Sequence, residues 1–178
     1  MTTTSGATLD LRDRVRDVPD FPKPGIVFKD LMPLVADAKY FRETIDRLEE
    51  LARPQRPDVI LGAEARGFIF GGALADRLHC GFVPARKPGK LPWNTVEATY
   101  DLEYGTDSLQ VHADAIGKGA RVIVHDDVLA TGGTAKAKTE LVEQLGGEVV
   151  GLLFVVELGF LNGRDKLADY TVQSLISY

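Results

Sequence analysis

The sequence predicts an α/β fold of the doubly wound type, in which helices cover both faces of an open parallel sheet. Two observations support this prediction. Four short segments are apolar on both strand faces, which is typical of strands buried inside a parallel sheet. Helical patterns separate most of them, as connections between parallel strands require. At 178 residues, the chain has the length of a single domain with a sizeable core, and we expect one domain over residues 1–178.

The N-terminal part, about residues 1–35, is predicted to form an arm or small hood. A short helix at residues 9–15 is followed by three prolines between residues 19 and 24, which forbid a helix and impose an extended, turning path. Residues 39–52 then predict an amphipathic helix, because their apolar side chains recur on one helical face.

The rest of the chain alternates between strand and helix. The predicted strands are, in order, residues 58–61, 81–85, 121–125 and 149–156. The predicted helices follow the first and the third strand, at residues 68–78 and 134–145. Paired glycines directly after residue 145 end the second helix.

One segment, residues 90–110, does not fit this alternation. Its polar and apolar residues alternate weakly, which predicts a two-stranded excursion outside the main sheet. Long excursions from compact domains are often binding loops or lids. We therefore expect a flexible flap here.

Composition argues against several classes of protein. The net charge of −5 disfavours a protein that coats nucleic acid. No apolar run approaches the ~20 residues that span a bilayer, and the N-terminus shows no apolar stretch of signal-peptide length. The single cysteine, Cys80, rules out an internal disulfide and suits a reducing compartment. We expect a cytoplasmic protein that binds neither nucleic acid nor membranes, with Cys80 as a small buried apolar residue.

The strongest functional signal is the run VIVHDDVLATGGT at residues 122–134. Its paired glycines allow a tight turn that presents several N–H groups to one anion. The start of the next helix favours negative charge, and two threonines add hydroxyl donors. Since ligands of open α/β sheets bind beyond the carboxyl ends of the strands, the run predicts a phosphate cup. The cup comprises Ala130, Thr131, Gly132, Gly133 and Thr134.

Two carboxylates, Asp126 and Asp127, precede this cup and would repel a phosphate placed against them. They are explained if they face what lies next to the phosphate, either vicinal ribose hydroxyls or a divalent cation. The order of acid pair and cup therefore indicates a ribose followed by its 5′-phosphate. His125 is predicted to be structural. The P-loop pattern and the dinucleotide pattern G-x-G-x-x-G are both absent from the chain.

The same run resembles the donor-binding signature of the type I phosphoribosyltransferases. The resemblance implies that family's fold, with a small hood and a flexible β flap beside the parallel sheet. It implies that the donor is 5-phosphoribosyl-1-pyrophosphate and that Mg²⁺ accompanies it. We expect donor oxygens to hold most of this ion's ligand positions and assign no protein residue as a metal ligand, while a direct contact with a carboxylate is left open. The resemblance also implies that Asp126 and Asp127 hold the ribose hydroxyls while residues 130–134 hold the 5′-phosphate.

Two further segments resemble the adenine phosphoribosyltransferases within that family. FPKPGIVFKD, residues 21–30, is similar to their base-reading segment. This similarity implies that the backbone beside Val27 and Lys29 reads the adenine edge and that Phe28 stacks on the ring. GAEARGF, residues 62–68, is similar to their pyrophosphate loop and implies that Arg66 binds phosphate oxygens, for which its planar donor fork is suited.

A third similarity covers RKPGKLP at residues 86–92 and LEYG at residues 102–105. It implies that three cations bind the departing pyrophosphate: Arg86, Lys87 and Lys90. In the family, the counterpart of Arg86 reaches the active site of the neighbouring subunit, so a homodimer is implied. Glu103 is expected to handle the proton at the purine, and Tyr104 belongs to the same flap.

The implied reaction is purine salvage, in which adenine and phosphoribosyl pyrophosphate give AMP and pyrophosphate. One alternative is a phosphoribosyltransferase for xanthine or orotate, which the base-reading segment disfavours. Another is a non-catalytic regulator that senses the donor, which would be expected to carry an added nucleic-acid-binding module. A hydrolase that uses the aspartates as metal ligands lacks the histidine or extra carboxylate partners that such sites need.

Overall fold

The computed structural model describes residues 9–101 and 105–178. The chain divides into two compact units, Met1–Asp46 and Arg47–Tyr178. The long helix α2 (Ala38–Ala52) contains this boundary. Its bounds agree with the amphipathic helix predicted at residues 39–52.

The first unit contains a β-hairpin that the sequence did not predict. Strand β1 (Arg16–Pro19) pairs antiparallel with β2 (Val27–Asp30), and helices α1 (Met32–Ala36) and α2 follow. The loop between the strands is closed by a hydrogen bond of 2.7 Å from Gly25 N to Asp20 Oδ1. The helix predicted at residues 9–15 is instead one 3₁₀ turn, Leu11–Arg14, because the cap by Asp10 is followed by extended backbone at Val15.

The second unit is built on a five-stranded parallel sheet. In chain order its elements are β3 (Val59–Ala63), α3 (Arg66–Leu78), β4 (Gly81–Ala85), β5 (Thr95–Asp101), β6 (Thr106–His112), β7 (Arg121–Leu129), α4 (Gly133–Gln144), β8 (Glu148–Glu157) and β9 (Val172–Ser177). The strand order in the sheet is β4-β3-β7-β8-β9, and every neighbouring pair is parallel. The predicted α/β fold is thereby confirmed.

Helices α3 and α4 cover opposite faces of this sheet. The connection through α3 leads from β3 outward to β4, whereas the connection through α4 leads from β7 in the other direction to β8. Since such crossovers are right-handed, a reversal of direction places the two helices on opposite faces. On the α4 face, apolar helix residues such as Leu141 and Val142 pack in one buried cluster with Val124 and Phe154 of the sheet.

Strands β5 and β6 form the antiparallel excursion that the sequence predicted, with Thr95 opposite His112 and Asp101 opposite Thr106. The excursion does not stand clear of the core, however. Ala98 and Leu109 are buried in the same apolar cluster as α4, so the base of the flap is packed. Arg86 and Gln110 also form a backbone bridge between the end of β4 and β6.

Candidate active site at the carboxyl edge of the parallel sheet

The order of strands reverses between β3 and β7, which are neighbours in the sheet. In open α/β sheets, ligands bind in the crevice outside the carboxyl ends of the strands at such a reversal. β3 ends at Ala63 and β7 ends at Leu129. The segments after them, which include residues 64–65 and 130–132, therefore flank one crevice.

The acid pair lies inside β7 and not in the loop after it. We predicted a strand that ends at His125, but the ladder continues through Asp126, which pairs with Phe154 of β8, to Leu129. Consecutive strand residues point to opposite sides, so the two carboxylates leave the strand in different directions. The Asp126 side chain is 14% exposed and the Asp127 side chain 7% exposed.

Asp126 is held by a lysine that the sequence analysis missed. Lys138 of α4 is fully buried, and its Nζ donates hydrogen bonds of 2.8 Å both to Asp126 Oδ2 and to the His125 carbonyl oxygen. The other carboxylate oxygen, Oδ1, accepts a 3.0 Å bond from Asp127 N. The sequence does contain a signal for Lys138, namely its position in α4. It lies three residues after buried Ala135 and four before buried Val142, which places a cation on the apolar face of the helix.

Asp127 pairs with Arg66, whose Nε lies 2.5 Å from Asp127 Oδ2. This ion pair joins β7 to the start of α3 across the crevice. Burial and the negative charge of Asp126 together raise the pKa of Asp127 to about 7, although the Arg66 guanidinium opposes them.

The predicted phosphate cup forms the turn between β7 and α4. Gly132 adopts a φ of +81° at the N-cap, a conformation that side chains disfavour, and α4 begins at Gly133. The first helical hydrogen bond within this turn is Lys136 N to Gly132 O at 2.9 Å. The N–H groups ahead of Lys136 have no acceptor within the helix and are available to an anion. Of the two threonines, Thr131 is exposed and Thr134 half-buried.

A second turn packs directly against this cup, backbone to backbone. A Cβ added to Gly163 would lie 2.3 Å from the carbonyl oxygen of Ala130 and 3.1 Å from Gly132 N. A Cβ on Gly132 would in return lie 2.3 Å from Gly163 O. Only glycine fits at either position, so the two turns fix each other's path.

An ion pair anchors the turn that carries Gly163. Arg164 donates from Nε and Nη2 to the two carboxylate oxygens of Glu157 at 2.6 Å each, and Ser174 Oγ donates to Glu157 Oε2 at 2.7 Å. The bond from Arg164 is the main cause that lowers the pKa of Glu157 below its usual range. The turn is thus tied to the carboxyl end of β8 and to β9. No motif in the sequence pointed to these residues.

Beside the start of α4 lies a cleft of about 210 Å³. Its lining includes Gly133, Lys136 and Lys166 on one side, and Tyr100 and Asp101 at the end of β5 on the other. Two lysines therefore lie close to the N-terminus of the helix.

Of the predicted pyrophosphate cations, Arg86 pairs with the carboxylate of Glu64, which directly follows β3. Arg86 donates to Glu64 Oε2 from Nε at 3.0 Å and from Nη2 at 2.9 Å, while Lys87 N donates to Glu64 Oε1 at 2.7 Å. The Lys87 ammonium pairs with Asp107 of β6. Lys90 is exposed, and its carbonyl oxygen accepts a bond from Arg86 Nη1 at 3.1 Å.

His125 lies on the face of β7 that packs against α3, with its ring centroid 6.3 Å from that of Phe70. It is fully buried, and burial lowers its pKa to about 4. A neutral, enclosed imidazole is consistent with the structural role that we predicted.

The predicted base-reading residues form β2 in the first unit. Phe28 makes an edge-to-face contact with Phe21 at 5.1 Å between ring centroids, and Lys29 Nζ donates to Asp17 Oδ1 at 2.7 Å. Val27 is 46% exposed. β2 pairs with β1 in a two-stranded sheet, and its extended backbone carries alternating donors and acceptors. The predicted catalytic Glu103 and its neighbour Tyr104 lie outside the described residues.

Among the described residues there is neither a cluster of metal-binding side chains nor a membrane-spanning helix. Residues 9–101 and 105–178 contain no group of three or more His, Cys, Asp or Glu side chains placed to hold a metal ion. Within the same ranges, every helix is too short or too polar to cross a bilayer.

A family model, related sequences and solved structures all point to the same family. Residues 38–176 match the family model of the phosphoribosyl transferase domain. A protein named adenine phosphoribosyltransferase from Koribacter versatilis is 55% identical over 176 residues, which cover 98% of this chain and 97% of the relative. The crystal structure of adenine phosphoribosyltransferase from Thermoanaerobacter pseudethanolicus aligns with a TM-score of 0.93 at 52% identity and covers 94% of this chain and 98% of that one.

A further solved structure carries ligands. Adenine phosphoribosyltransferase from Saccharomyces cerevisiae, in complex with an imino-altritol bisphosphate and adenine, aligns with a TM-score of 0.88 at 44% identity. The alignment covers 93% of this chain and 96% of that one.

Proposed function

The chain belongs to the adenine phosphoribosyltransferases of the type I family, and from that premise we propose how its residues divide the work of the reaction. The enzyme transfers the 5-phosphoribosyl group from phosphoribosyl pyrophosphate to adenine and releases AMP and pyrophosphate, a step of purine salvage. The observation on which the proposal depends is the acid pair of β7 followed directly by the glycine turn that opens α4, at the reversal point of the sheet.

The ribose 5-phosphate half of the donor is assigned to the end of β7 and to the cup. Carboxylates accept hydrogen bonds from vicinal hydroxyls, which gives Asp126 and Asp127 a role beside the ribose. The N–H groups of Gly133 and its neighbours, with the hydroxyls of Thr131 and Thr134, receive the 5′-phosphate. Departure of pyrophosphate leaves positive charge at the anomeric carbon, which nearby carboxylates stabilise.

The pyrophosphate half is assigned to Arg66, Arg86, Lys87 and Lys90. The Arg66 guanidinium already spans the crevice to Asp127 at 2.5 Å. Donor binding then replaces this contact, because the ribose hydroxyls approach the carboxylate while the pyrophosphate approaches the guanidinium. Arg86 and Lys87 border the same crevice through their bonds to Glu64.

We propose that Mg²⁺ enters with the donor and is held mainly by donor oxygens. This fits the chemistry of the donor, whose pyrophosphate oxygens are hard ligands, with the carboxylates of Asp126 and Asp127 close by in β7. Phosphate oxygens with one or two carboxylates are a usual environment for Mg²⁺. The ion would supply positive charge to the leaving group as the glycosidic bond breaks.

The base is assigned to the segment that forms β2 and to the flap. Extended backbone at Val27 and Lys29 offers an acceptor for the exocyclic amine and a donor for a ring nitrogen, and Phe28 supplies an aromatic face. Glu103 handles the proton at the purine, a role that contributes typically ~10²–10⁴-fold to the rate. A closed flap would also exclude water and limit hydrolysis of the donor.

We further propose that the enzyme is a cytoplasmic homodimer. The exposed aromatic side chains of Trp93 and Phe160, at 66% and 67%, support an interface, since such residues are enriched there. Residues 1–178 are taken to work as one phosphoribosyltransferase domain, with about residues 1–35 as the hood and about residues 90–110 as a mobile flap. Sedimentation equilibrium measures the mass directly, and a monomer at assay concentration would contradict the dimer.

A base panel tests the substrate assignment. The protein is incubated with phosphoribosyl pyrophosphate, Mg²⁺ and one base at a time, and the mononucleotide is identified by chromatography. Adenine is expected to give AMP with stoichiometric pyrophosphate. Faster product formation with hypoxanthine, xanthine or orotate would refute the base assignment while leaving the donor site in place.

A further inference from the structure

Lys138 is the most deeply buried cation among the described residues, with none of its side chain exposed. An ammonium group removed from water is tolerated only when it is paired and hydrogen-bonded. Here Nζ donates to Asp126 Oδ2 and to the His125 carbonyl oxygen, both at 2.8 Å. Both acceptors belong to β7, so the side chain connects α4 to the strand that carries the acid pair.

These bonds determine how the carboxylate of Asp126 is oriented. Oδ2 accepts from Lys138, and Oδ1 accepts from Asp127 N at 3.0 Å, so both oxygens are held in place. Gly67 of α3 leaves the room for this arrangement, because a Cβ there would lie 2.8 Å from Asp126 Oδ1. The carboxylate can then present only its remaining lone pairs to the crevice, in a fixed direction.

Lys138 also opposes the repulsion between the two acids. The groups around Asp126 are the ammonium from α4, the neutral imidazole of His125, and Asp127 with its partner Arg66 at the start of α3. Arg66 is 36% exposed and faces the crevice, so a ligand can reach it. Lys138 is fully buried between α4 and β7, out of reach of a ligand in the crevice. Its positive charge therefore remains next to Asp126 whether or not a ligand is bound.

We propose that Lys138 is a positioning residue for the donor: from α4 it fixes the Asp126 carboxylate in the orientation that receives the ribose hydroxyls. The proposal rests on the ribose role of Asp126 put forward above. Lys138 itself touches no substrate. Its effect is therefore expected on the affinity for the donor and not on the affinity for adenine.

Lys138→Met tests this, because methionine has a similar length and lacks the charge. The KM for phosphoribosyl pyrophosphate is expected to rise about 10–100-fold, the scale of a lost charged hydrogen bond, while kcat and the KM for adenine stay within about threefold. Lys118→Met, at an exposed lysine in the turn before the amino end of β7, is the matched control and is expected to leave all three constants near the wild-type values. A general loss of kcat with no selective change in the KM for the donor would overturn the proposal.

A double-mutant cycle with Asp126→Asn separates this inference from the proposed function. If Lys138 acts through Asp126, the double variant has a KM for the donor close to that of Asp126→Asn alone, and not the product of the two effects. An unchanged KM for the donor in Asp126→Asn refutes the ribose role itself. A raised KM in Asp126→Asn beside an unchanged one in Lys138→Met refutes only the role of the lysine.

Removal of one member of a buried pair can prevent folding, so the wild-type protein supplies a second test. The ¹⁵N resonance of the Lys138 ammonium, assigned from its loss in the double variant, is recorded with and without donor and Mg²⁺ in the absence of adenine. A shift is expected, because hydrogen bonds from the ribose hydroxyls redistribute the charge on the carboxylate that accepts from the ammonium. An unmoved resonance at saturating donor would refute the proposal.

Discussion

In the candidate site, the backbone of Gly163 packs directly against the phosphate cup. A substitution at Gly163 tests whether this contact shapes the cup. In Gly163→Ala the new Cβ would lie 2.3 Å from the Ala130 carbonyl oxygen and 3.1 Å from Gly132 N. Ordinary carbon–oxygen contacts begin at about 3.3 Å, so the two turns must separate by roughly 1 Å. Neither neighbour is a flexible side chain, and the turn is tied down by the pair of Arg164 and Glu157. The phosphate cup, residues 130–134, is therefore the part that must move.

We expect this substitution to raise the KM for phosphoribosyl pyrophosphate by about 10–100-fold, since a shift of ~1 Å in a positioning group can reduce rates by ~10²-fold. Overpacking should also lower the free energy of unfolding by ~1–3 kcal/mol. Steady-state kinetics with each substrate varied in turn measures the first effect, and urea unfolding measures the second. The KM for adenine should change little.

Gly72→Ala is the matched control, because a Cβ at this position of α3 meets nothing within 4 Å. It adds the same methyl group and should leave both KM values unchanged. If Gly163→Ala binds the donor as tightly as Gly72→Ala does and unfolds at the same urea concentration, the contact does not shape the phosphate cup.

Three further predictions concern charged groups. Burial raises the pKa of Asp127 to about 7 from 3.8, so the folded protein holds a proton there that the unfolded chain releases, and this residue weakens the fold as pH rises from about 4 to 7. The free energy of unfolding of Asp127→Asn, measured with urea, should therefore rise by about 2–3 kcal/mol relative to that of the wild type between about pH 5 and pH 8. An equal difference between the two proteins at both pH values would contradict the raised pKa. Glu103→Gln should lower kcat by ~10²–10⁴-fold with donor affinity measured by calorimetry nearly unchanged, and unaltered turnover would refute its role in proton transfer. Lys90→Ala, at an exposed site, should raise the KM for phosphoribosyl pyrophosphate about tenfold but leave the binding of ribose 5-phosphate unchanged, and equal weakening of both ligands would exclude a specific pyrophosphate contact.

The buried elements of the sheet were predictable because their sequences are unambiguous. The segments that form β3, β4, β7 and β8 are apolar on both faces, and the helices between them end at glycine or histidine turns. β9 (Val172–Ser177) was missed because it lies at the sheet edge, where Gln173 and Ser174 interrupt the apolar pattern. The β1–β2 hairpin was missed because prolines flank or end its strands, and proline suggests loops more readily than strands.

The site was predictable only where its residues are adjacent in the chain. The acid pair and the cup follow one another within residues 126–134, so one strand–turn–helix unit brings them together. The contacts that hold them come from far along the chain. Gly163 reaches the cup through the packing of β8 and β9, and a glycine in a polar turn gives no sign of the backbone that it will meet. Lys138 looks like an ordinary helical lysine until the sheet buries it.

The charges of this crevice explain how a chain with a net charge of −5 can bind a polyanion. Three described carboxylates of this crevice each lie against a cation from a different segment: Asp126 against Lys138, Asp127 against Arg66 and Glu64 against Arg86. At separations of 2.5–2.9 Å the paired charges largely cancel beyond their immediate neighbourhood. At the 5′-phosphate end of the crevice, the N–H groups at the start of α4 and the nearby lysines Lys136 and Lys166 then act on the incoming phosphate. Carboxylates can therefore lie beside a phosphate site because their charge is already compensated, which leaves their hydrogen-bonding capacity for the ribose.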